Sequence, residues 1–161
     1  MAVDQFIKIE GIDGESKDDA HTDEIDVLAW SWGLSQSGSF HVGGGGGSGK
    51  VDVQDISFTK YVDKASPVLT KYCCNGKHIP EAILTVRKSG ENPLEYITIT
   101  LTKVIISSIT HGGSASDERL TENVTLNFAQ VKYEYQPQDD AGAADGGKIE
   151  MGWDIEANVP L

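Results

Sequence analysis

The residues of this chain that come nearest to a chemical motif lie in a glycine tract. Gly44, Gly49 and Lys50 have the G-x-x-x-x-G-K spacing of a phosphate-binding loop. The next residue is Val51, where such a loop needs Ser or Thr to hold magnesium. The residues that follow alternate like a strand, whereas a phosphate loop leads into a helix whose N-terminus faces the anion. We therefore interpret the tract as a loop without nucleotide chemistry.

Neither the histidines nor the acidic residues form a pattern that predicts metal or acid–base chemistry. The four histidines lie far apart, at positions 21, 41, 78 and 111, so none has the i, i+4 spacing of a helical ligand pair. The acidic segment 18–26 could bind a cation weakly, but a solvated loop is the simpler interpretation. The aspartates of segment 139–145 do not match a calcium loop. We predict no catalytic residue, no metal, no cofactor and no enzymatic activity.

The two cysteines, Cys73 and Cys74, are adjacent in the sequence. Neighbouring cysteines seldom form a structural disulfide, because the ring that they close is strained, and the redox spacing Cys-x-x-Cys is missing. We expect two free thiols on a helix in a chain that folds in a reducing cytoplasm. The sequence assigns no role to this pair or to segment 139–147.

Length and charge restrict the partners of this chain. Its 161 residues suffice for one domain, 1–161, with a hydrophobic core. A formal net charge of -12 disfavours nucleic acids and anionic membranes, which bind clustered Lys and Arg. No apolar run could span a bilayer, and the N-terminus lacks the basic and apolar regions of a signal peptide. We predict cytoplasmic synthesis without a signal peptide, no membrane insertion and no nucleic-acid partner.

Two strand-like stretches, 28–35 and 51–61, flank the glycine tract. The first alternates large with small residues: Leu28, Trp30, Trp32 and Leu34 against Ala29, Ser31, Gly33 and Ser35. Alternate side chains of a strand point to opposite faces, which predicts a core-packing face and a face of small groups. Glycine loses the most conformational freedom on ordering, so we expect the tract Gly43–Gly47 to become ordered against a partner.

The remaining pattern favours a mainly β chain. Alternation predicts further strands, at 3–9, 82–87, 94–110, 124–135 and 149–155. It slips near Gln130, as at a β-bulge. Residues 64–75 instead have helical spacing, with Ser66 suited to cap the helix and Gly76 to follow its end. We predict an antiparallel β-barrel of roughly eight strands, or a sandwich, with one short α-helix and a long glycine-rich extended loop.

Several segments resemble the Hcp family, the haemolysin-coregulated proteins that are tube subunits of bacterial type VI secretion systems. The main ones are Ala29–Gly33, the glycine tract and Val53–Tyr61. Segments Met1–Asp4, Ser16–Asp18, Arg119–Val131 and Gly152–Ile155 are also similar to the family. The similarity covers essentially the whole chain, and the combination of segments is specific although no single one is.

The resemblance implies both an architecture and partners. Hcp proteins are β-barrels with a helix on one side, and six copies form a ring with a central channel. Rings stack into a tube that a contractile sheath drives out of the cell. The implied partners are further copies of the chain, effector proteins inside the channel, and the spike and sheath proteins. The implied destination is the exterior or a target cell.

Within such an assembly, three sets of residues are candidate surfaces. The predicted channel and passenger-binding wall is Ala29, Ser31 and Gly33. The predicted contact loop between subunits or rings is His41, Gly43, Gly44, Gly45, Gly46, Gly47, Ser48 and Lys50. The predicted opposite ring faces are Ser89, Gly90 and Glu91 on one side and Asn158 on the other.

Two other functions remain open at this point. One is a tail-tube protein of a phage-like contractile particle, whose subunits share a related barrel. The other is an unassembled β-sandwich that binds a ligand. The sandwich predicts a stable monomer with at least one exposed tryptophan.

Overall fold

The computed structural model describes residues 3–38, 40–42 and 50–161, and these residues are mainly β. The strands are β1 (Val3–Ile9), β2 (Ile25–Asp26), β3 (Ala29–Ser31), β4 (Leu34–Ser35), β5 (Asp52–Val53), β6 (Ile56–Tyr61), β7 (Ile79–Lys88), β8 (Glu95–His111), β9 (Thr121–Tyr135), β10 (Ile149–Asp154) and β11 (Val159–Pro160). Helix α1 spans Ala65–Asn75, and a 3-10 turn spans Phe40–Val42. The mainly β class with one short helix is confirmed.

The strands pair antiparallel in a sheet whose two ends are joined. The order runs β2–β1–β7–β8–β9, then β6 beside β9 and β3 beside β6. Strands β2 and β3 belong to one segment, 25–31, so this segment bonds to β1 on one side and to β6 on the other. Between them, the amides of Val27 and Leu28 donate to the carbonyls of Gln5 and Thr59, at 2.9 and 2.8 Å. The segment thereby bridges β1 and β6, although the ladder of paired strands is interrupted between β2 and β3. We call this sheet the barrel.

Strand β9 has two different neighbours along one edge. Its other edge pairs with β8 over most of its length. On the shared edge, β6 pairs with residues 121–126 and β10 pairs with residues 130–135. Strands β6 and β10 therefore lie end to end, and β10 with β11 extends the sheet beyond the barrel.

Apolar side chains from the barrel strands and from α1 fill the interior. Those no more than 2% exposed include Ile7, Ile9, Ile25, Ile56, Phe58, Leu69, Leu84, Ile99, Leu101 and Leu126. Burying one such side chain contributes about 1.5–3 kcal/mol. Trp30, Trp32 and Trp153 are half-buried and pack against this core. Core packing of the tryptophans is confirmed, and none of the three is exposed, whereas the ligand-binding sandwich predicts at least one exposed tryptophan.

The predicted two-faced strand 28–35 is wrong in one respect. Leu28 and Leu34 are 41% and 45% exposed, so only the two tryptophans reach the core. For Leu34, the reason is that the strand is interrupted after Ser31, whereas Leu28 lies before β3, between it and β2. The next strand, β4, pairs with β5 in a separate two-stranded ribbon. Alternation along the sequence continues through the interruption and does not reveal it.

Along the paired strands β8 and β9, the alternation of buried and outward residues reverses at the same point in both strands. Successive buried pairs there are Leu101–Val131 and Val104–Phe128. Both strands change together, Lys103 has a positive φ of 56°, and the register is the same on both sides. The predicted change of alternation near Gln130 is therefore seen in which side chains are buried. The register shift that a β-bulge produces lies instead between Ile106 and Ser108.

The first turn of helix α1 is bonded to the side chain of Asp63 and is not capped by Ser66 as predicted. Asp63 Oδ1 accepts from the amide of Ala65 at 2.9 Å, whereas Ser66 does not cap the helix. Gly76 ends the helix in the left-handed conformation, with φ 63°, as predicted. Leu69 lies on the buried face. No helix within the described ranges has the length and apolarity to cross a membrane.

Candidate assembly surfaces

The predicted channel wall starts on β3. Ala29 and Ser31 are exposed and carry small side chains outward. Gly33 is half-buried, and a Cβ at this position would lie 3.2 Å from Oε1 of Gln54. The side chain of Gln54 therefore covers Gly33. Two of the three predicted residues present small groups to the outside, and the third lies under a neighbouring side chain.

The outward polar face continues across β6 and β9. Ser31 lies opposite Ser57, whose Oγ is 3.3 Å from Oγ1 of Thr125. In the next row, Thr59 Oγ1 donates to Oδ1 of Asn123 at 2.6 Å. The sequence showed outward polar residues in each strand, but only the register places these strands beside β3. We call the face formed by Ala29, Ser31, Ser57, Thr59, Asn123 and Thr125 the polar face.

The carboxylate of Asp55 lies at the border of the polar face. Asp55 Oδ2 accepts from Oγ of Ser107 at 2.7 Å, and its Oδ1 accepts from Nδ2 of Asn127 at 2.8 Å. Both carboxylate oxygens therefore have a neutral donor. The six residues of the polar face carry no charge.

The predicted contact loop belongs to the β4–β5 ribbon. His41 is exposed in the 3-10 turn, and Lys50 is exposed before β5. Gly43–Gly47 and Ser48 lie outside the described residues. The ribbon pairs Leu34 with Val53 and is a sheet of its own, apart from the barrel sheet.

The predicted ring-face residues lie beyond opposite ends of β10. Ser89 is half-buried, and Gly90 and Glu91 are exposed in the turn between β7 and β8. The register places this turn beyond the Ile149 end of β10. Asn158 is exposed after the other end of β10, in the left-handed conformation with φ 57°.

The turn after β7 has a neighbour that the sequence did not predict. Residues 88–94 and 141–143 line one cavity of about 460 Å³. At Gly142, with φ 84°, an added Cβ would lie 2.6 Å from Nζ of Lys88. Residues 141–143 of segment 139–147, for which no role was predicted, are therefore part of the same surface as the predicted ring face.

A buried ionic network joins α1 to the barrel. Lys60 Nζ donates to Glu122 Oε1 at 2.5 Å, to Asp63 Oδ1 at 2.8 Å and to Ser66 Oγ at 3.2 Å. Burial by itself raises the pKa of Glu122. The hydrogen bonds from Lys60 and Ser66 and the charge of Lys60 outweigh it, so the pKa lies below its usual value.

One histidine connects this network to the surface. His111 Nδ1 lies 2.9 Å from Oε2 of Glu122, and His111 Nε2 lies 3.0 Å from Oγ1 of Thr70 on α1. The histidine side chain is 51% exposed, whereas that of Glu122 is fully buried. Thr70, His111 and Glu122 follow one another as a hydroxyl, an imidazole and a carboxylate would in a nucleophile with its base. However, the Thr70 hydroxyl donates to the backbone carbonyl of Ser66 at 2.8 Å, so its proton is held by the helix and we interpret the cluster as one that fixes α1 to the barrel.

The acidic segment before β2 is only partly the solvated loop that was expected. Both carboxylate oxygens of Asp18 accept hydrogen bonds from the guanidinium of Arg87, at 3.0 and 2.5 Å. Asp4 Oδ2 accepts from the same guanidinium at 3.0 Å. The hydrogen bond from Arg87 lowers the pKa of Asp18 to about 2. Glu24 Oε2 lies 2.9 Å from Nδ1 of His21. These carboxylates fasten the segment to the barrel and are not available as a cation site.

Metal and thiol chemistry have little support in the part of the chain that the structure describes. No group of three or more His, Cys, Asp or Glu could hold a metal ion in that part. Cys73 is half-buried on the core side of α1 and Cys74 is exposed, both as free thiols. This arrangement agrees with two thiols on a helix.

Comparison with known proteins identifies the family. The family model described as "Type VI secretion system effector, Hcp" matches residues 6–135. Protein hcp1 of Pseudomonas aeruginosa is 63% identical over 160 residues, which cover 99% of each chain.

Solved structures agree with that result. Hcp1 of Salmonella typhimurium is 46% identical with a TM-score of 0.84, and the match covers 100% of both chains. A type VI secretion system effector of Yersinia pestis is 38% identical with a TM-score of 0.77, over 94% of this chain and 100% of the other. The resemblance seen in the sequence is confirmed, and this chain belongs to the Hcp family of type VI secretion proteins.

Proposed function

We propose that this chain is a structural subunit of the type VI secretion tube. Six copies form a ring with a central channel, and rings stack into an inner tube that is expelled and secreted. The observation that carries the proposal is the uncharged polar face across β3, β6 and β9, in a chain whose net charge is -12. A wall without fixed charges accepts passengers of either sign, because it sets no like charge against them.

Effector proteins are the passengers that this wall would carry. Small hydroxyl and amide groups can exchange hydrogen bonds with many protein surfaces, so a carrier lined with them is adaptable. The spike and sheath proteins are the further partners of such a tube. The protein acts by assembly and carriage, without enzymatic activity and without binding nucleic acid.

Ring formation needs two different surfaces on each subunit. A head-to-tail contact is heterologous, since a patch on one copy meets another patch on the next. The ribbon with His41 and Lys50 is one such surface. The Ser89–Glu91 turn and Asn158, which lie beyond opposite ends of β10, suit two ring faces that meet when rings stack.

Native mass spectrometry with negative-stain imaging, at low and high protein concentration, tests the proposal. Closed rings of six with an open centre are the expected result. A monomer at every concentration would contradict the tube and support an unassembled ligand-binding domain. Rings alone do not separate a secretion tube from the tube of a phage-like particle. Loss of the protein from the culture medium when the secretion sheath is deleted would do so.

A further inference from the structure

The β4–β5 ribbon carries an exposed aromatic side chain. Phe40, in the 3-10 turn, is 82% exposed, more than any other large hydrophobic residue in the described ranges. The ribbon is a sheet of its own and does not shield the side chain. A phenylalanine can bury a large area in a contact, so an unshielded one suits an anchor for a second molecule.

A cavity of about 470 Å³ opens at the edge formed by β10 and β11. Its lining consists of Lys132, Glu150, Met151, Gly152, Pro160 and Leu161. Met151 and Leu161 are 44% and 64% exposed, and the adjacent Ile149 is 66% exposed. At Gly152, an added Cβ would lie 2.9 Å from Cβ of Leu161, so the missing side chain lets the C-terminal residue close one side. The result is a concave site of mixed polarity, whose apolar part is Met151, Pro160 and Leu161 and whose volume is large enough for a phenyl ring.

The charges around the two features are complementary. Segment 36–50 contains Lys50 and no Asp or Glu, although the chain as a whole has a net charge of -12. At the cavity, Lys132 Nζ lies 3.1 Å from Glu134 and 3.3 Å from Glu150. Two carboxylates share one ammonium group, which leaves the rim negative. Segment 36–50, which carries Phe40, can therefore approach this rim without setting a like charge against it, and Asp52 is the one acidic residue of the adjoining strands β4 and β5.

We propose that Phe40 of one copy inserts into the β10–β11 cavity of a second copy. This inference rests on the proposed assembly and names one contact within it. The anchor and the cavity are different surfaces, so each copy can give one contact and receive another. The occupant is therefore a second copy of this chain, held by Phe40 among Met151, Pro160 and Leu161.

Directed disulfide formation tests the contact between copies. In a background with Cys73→Ser and Cys74→Ser, one chain carries Phe40→Cys and a second chain of different mass carries Met151→Cys. After mild oxidation of the mixture, a heterodimer that exceeds both homodimers is the expected product. Homodimers in excess, or no cross-link, would overturn the inference. A further variant carries both Phe40→Cys and Met151→Cys in one chain. An intrachain disulfide without cross-linked oligomers would show that Phe40 lies in the cavity of its own chain, which would also overturn the inference.

Removal of the aromatic ring gives a second, independent measurement. Phe40→Ala should raise the protein concentration at half-assembly by at least about tenfold, while Phe40→Leu should recover most of the assembly because it keeps an apolar anchor. The matched control is Val62→Ala, at an exposed apolar residue just after β6 that belongs neither to the ribbon nor to the cavity lining; it should change the midpoint less than about twofold. Equal midpoints for Phe40→Ala and the control would overturn the inference.

The two hypotheses fail in different ways. If the wild type forms rings but Phe40→Cys and Met151→Cys do not cross-link, the tube stands and the proposed contact is wrong. If the wild type is a monomer at every concentration, both are wrong.

Discussion

Lys60 and Glu122 are direct neighbours across β6 and β9, and neither side chain is exposed to solvent. Taking two charges out of water is costly, so such a pair is stable only when every donor and acceptor has a partner. Here Ser66 of α1 also donates to Glu122 Oε1, at 2.5 Å, and His111 contacts the other oxygen. The pair therefore joins two strands and the helix in one polar cluster.

Removing one member of this pair should destabilise the fold strongly. Glu122→Leu leaves the Lys60 ammonium buried without its nearest partner, and we expect a loss of about 3–5 kcal/mol in the free energy of unfolding. The double variant Lys60→Met with Glu122→Leu should lose less, because it removes both fully buried charges and leaves only the nearly buried Asp63 without its ammonium partner. Urea unfolding measures both. Lys132→Met, at an exposed ion pair, is the control, with an expected loss below about 1 kcal/mol. A double variant as unstable as Glu122→Leu would contradict the argument.

Acid should weaken the attachment of the segment before β2. The pKa of Asp18 is lowered from 3.8 to about 2, chiefly by its hydrogen bond from Arg87. A group with a depressed folded pKa contributes stability that is complete above its unfolded pKa and is lost as pH falls through the folded value. The lowered pKa of Glu122 acts in the same direction.

Thermal midpoints from about pH 5 to about pH 3 measure this dependence. Asp18→Asn should cost stability at the higher pH, and its difference from wild type should shrink as the pH falls. Asp19→Asn is the control, at an exposed neighbouring carboxylate outside the Arg87 pair. A gap for Asp18→Asn that stays constant over this range would show that the ion pair does not carry the pH dependence.

A methyl group at Gly14 should not fit. An added Cβ there would lie 2.5 Å from the carbonyl oxygen of Glu24, which is backbone and cannot move aside as a side chain would. We expect Gly14→Ala to cost about 1–3 kcal/mol in the free energy of unfolding. Gly112→Ala, where a Cβ meets open space, should change it by less than about 0.5 kcal/mol. Similar costs for the two variants in urea unfolding would refute the steric argument.

A longer side chain on the polar face should interfere with passengers. Ser31→Gln enlarges an exposed residue opposite Ser57, so the ring should still form while retention of a co-expressed effector falls. Ser114→Gln, in the exposed loop after β8, should leave retention unchanged. Co-purification of the effector, with native mass as the check on ring formation, gives the answer. Intact rings that retain the passenger fully would remove Ser31 from the channel wall.

Local sequence patterns correctly predicted the elements whose conformation does not depend on residues far away in the chain. Strand Val3–Ile9 matches its predicted bounds, and Gly76 ends the helix as its conformational freedom suggests. Ser66 shows where local reasoning fails. It is a good capping residue by type, but its hydroxyl donates to Glu122, which is distant in sequence. Ser66 does not cap because it lies inside α1, two residues after the N-cap position Lys64, and its oxygen accepts from the amide of Asp63, which precedes the helix.

The sequence by itself determined the class, the family and the candidate small-residue wall. Those features depend on alternation and on short segments, which are visible within a few residues. Only the tertiary structure decided that Ser31 shares a face with Thr125, that β6 and β10 lie end to end on β9, and that Leu34 leaves the barrel in a ribbon. The physical reason is that strand partners and register are set by hydrogen bonds and core packing between residues far apart in the chain, and no local pattern records them.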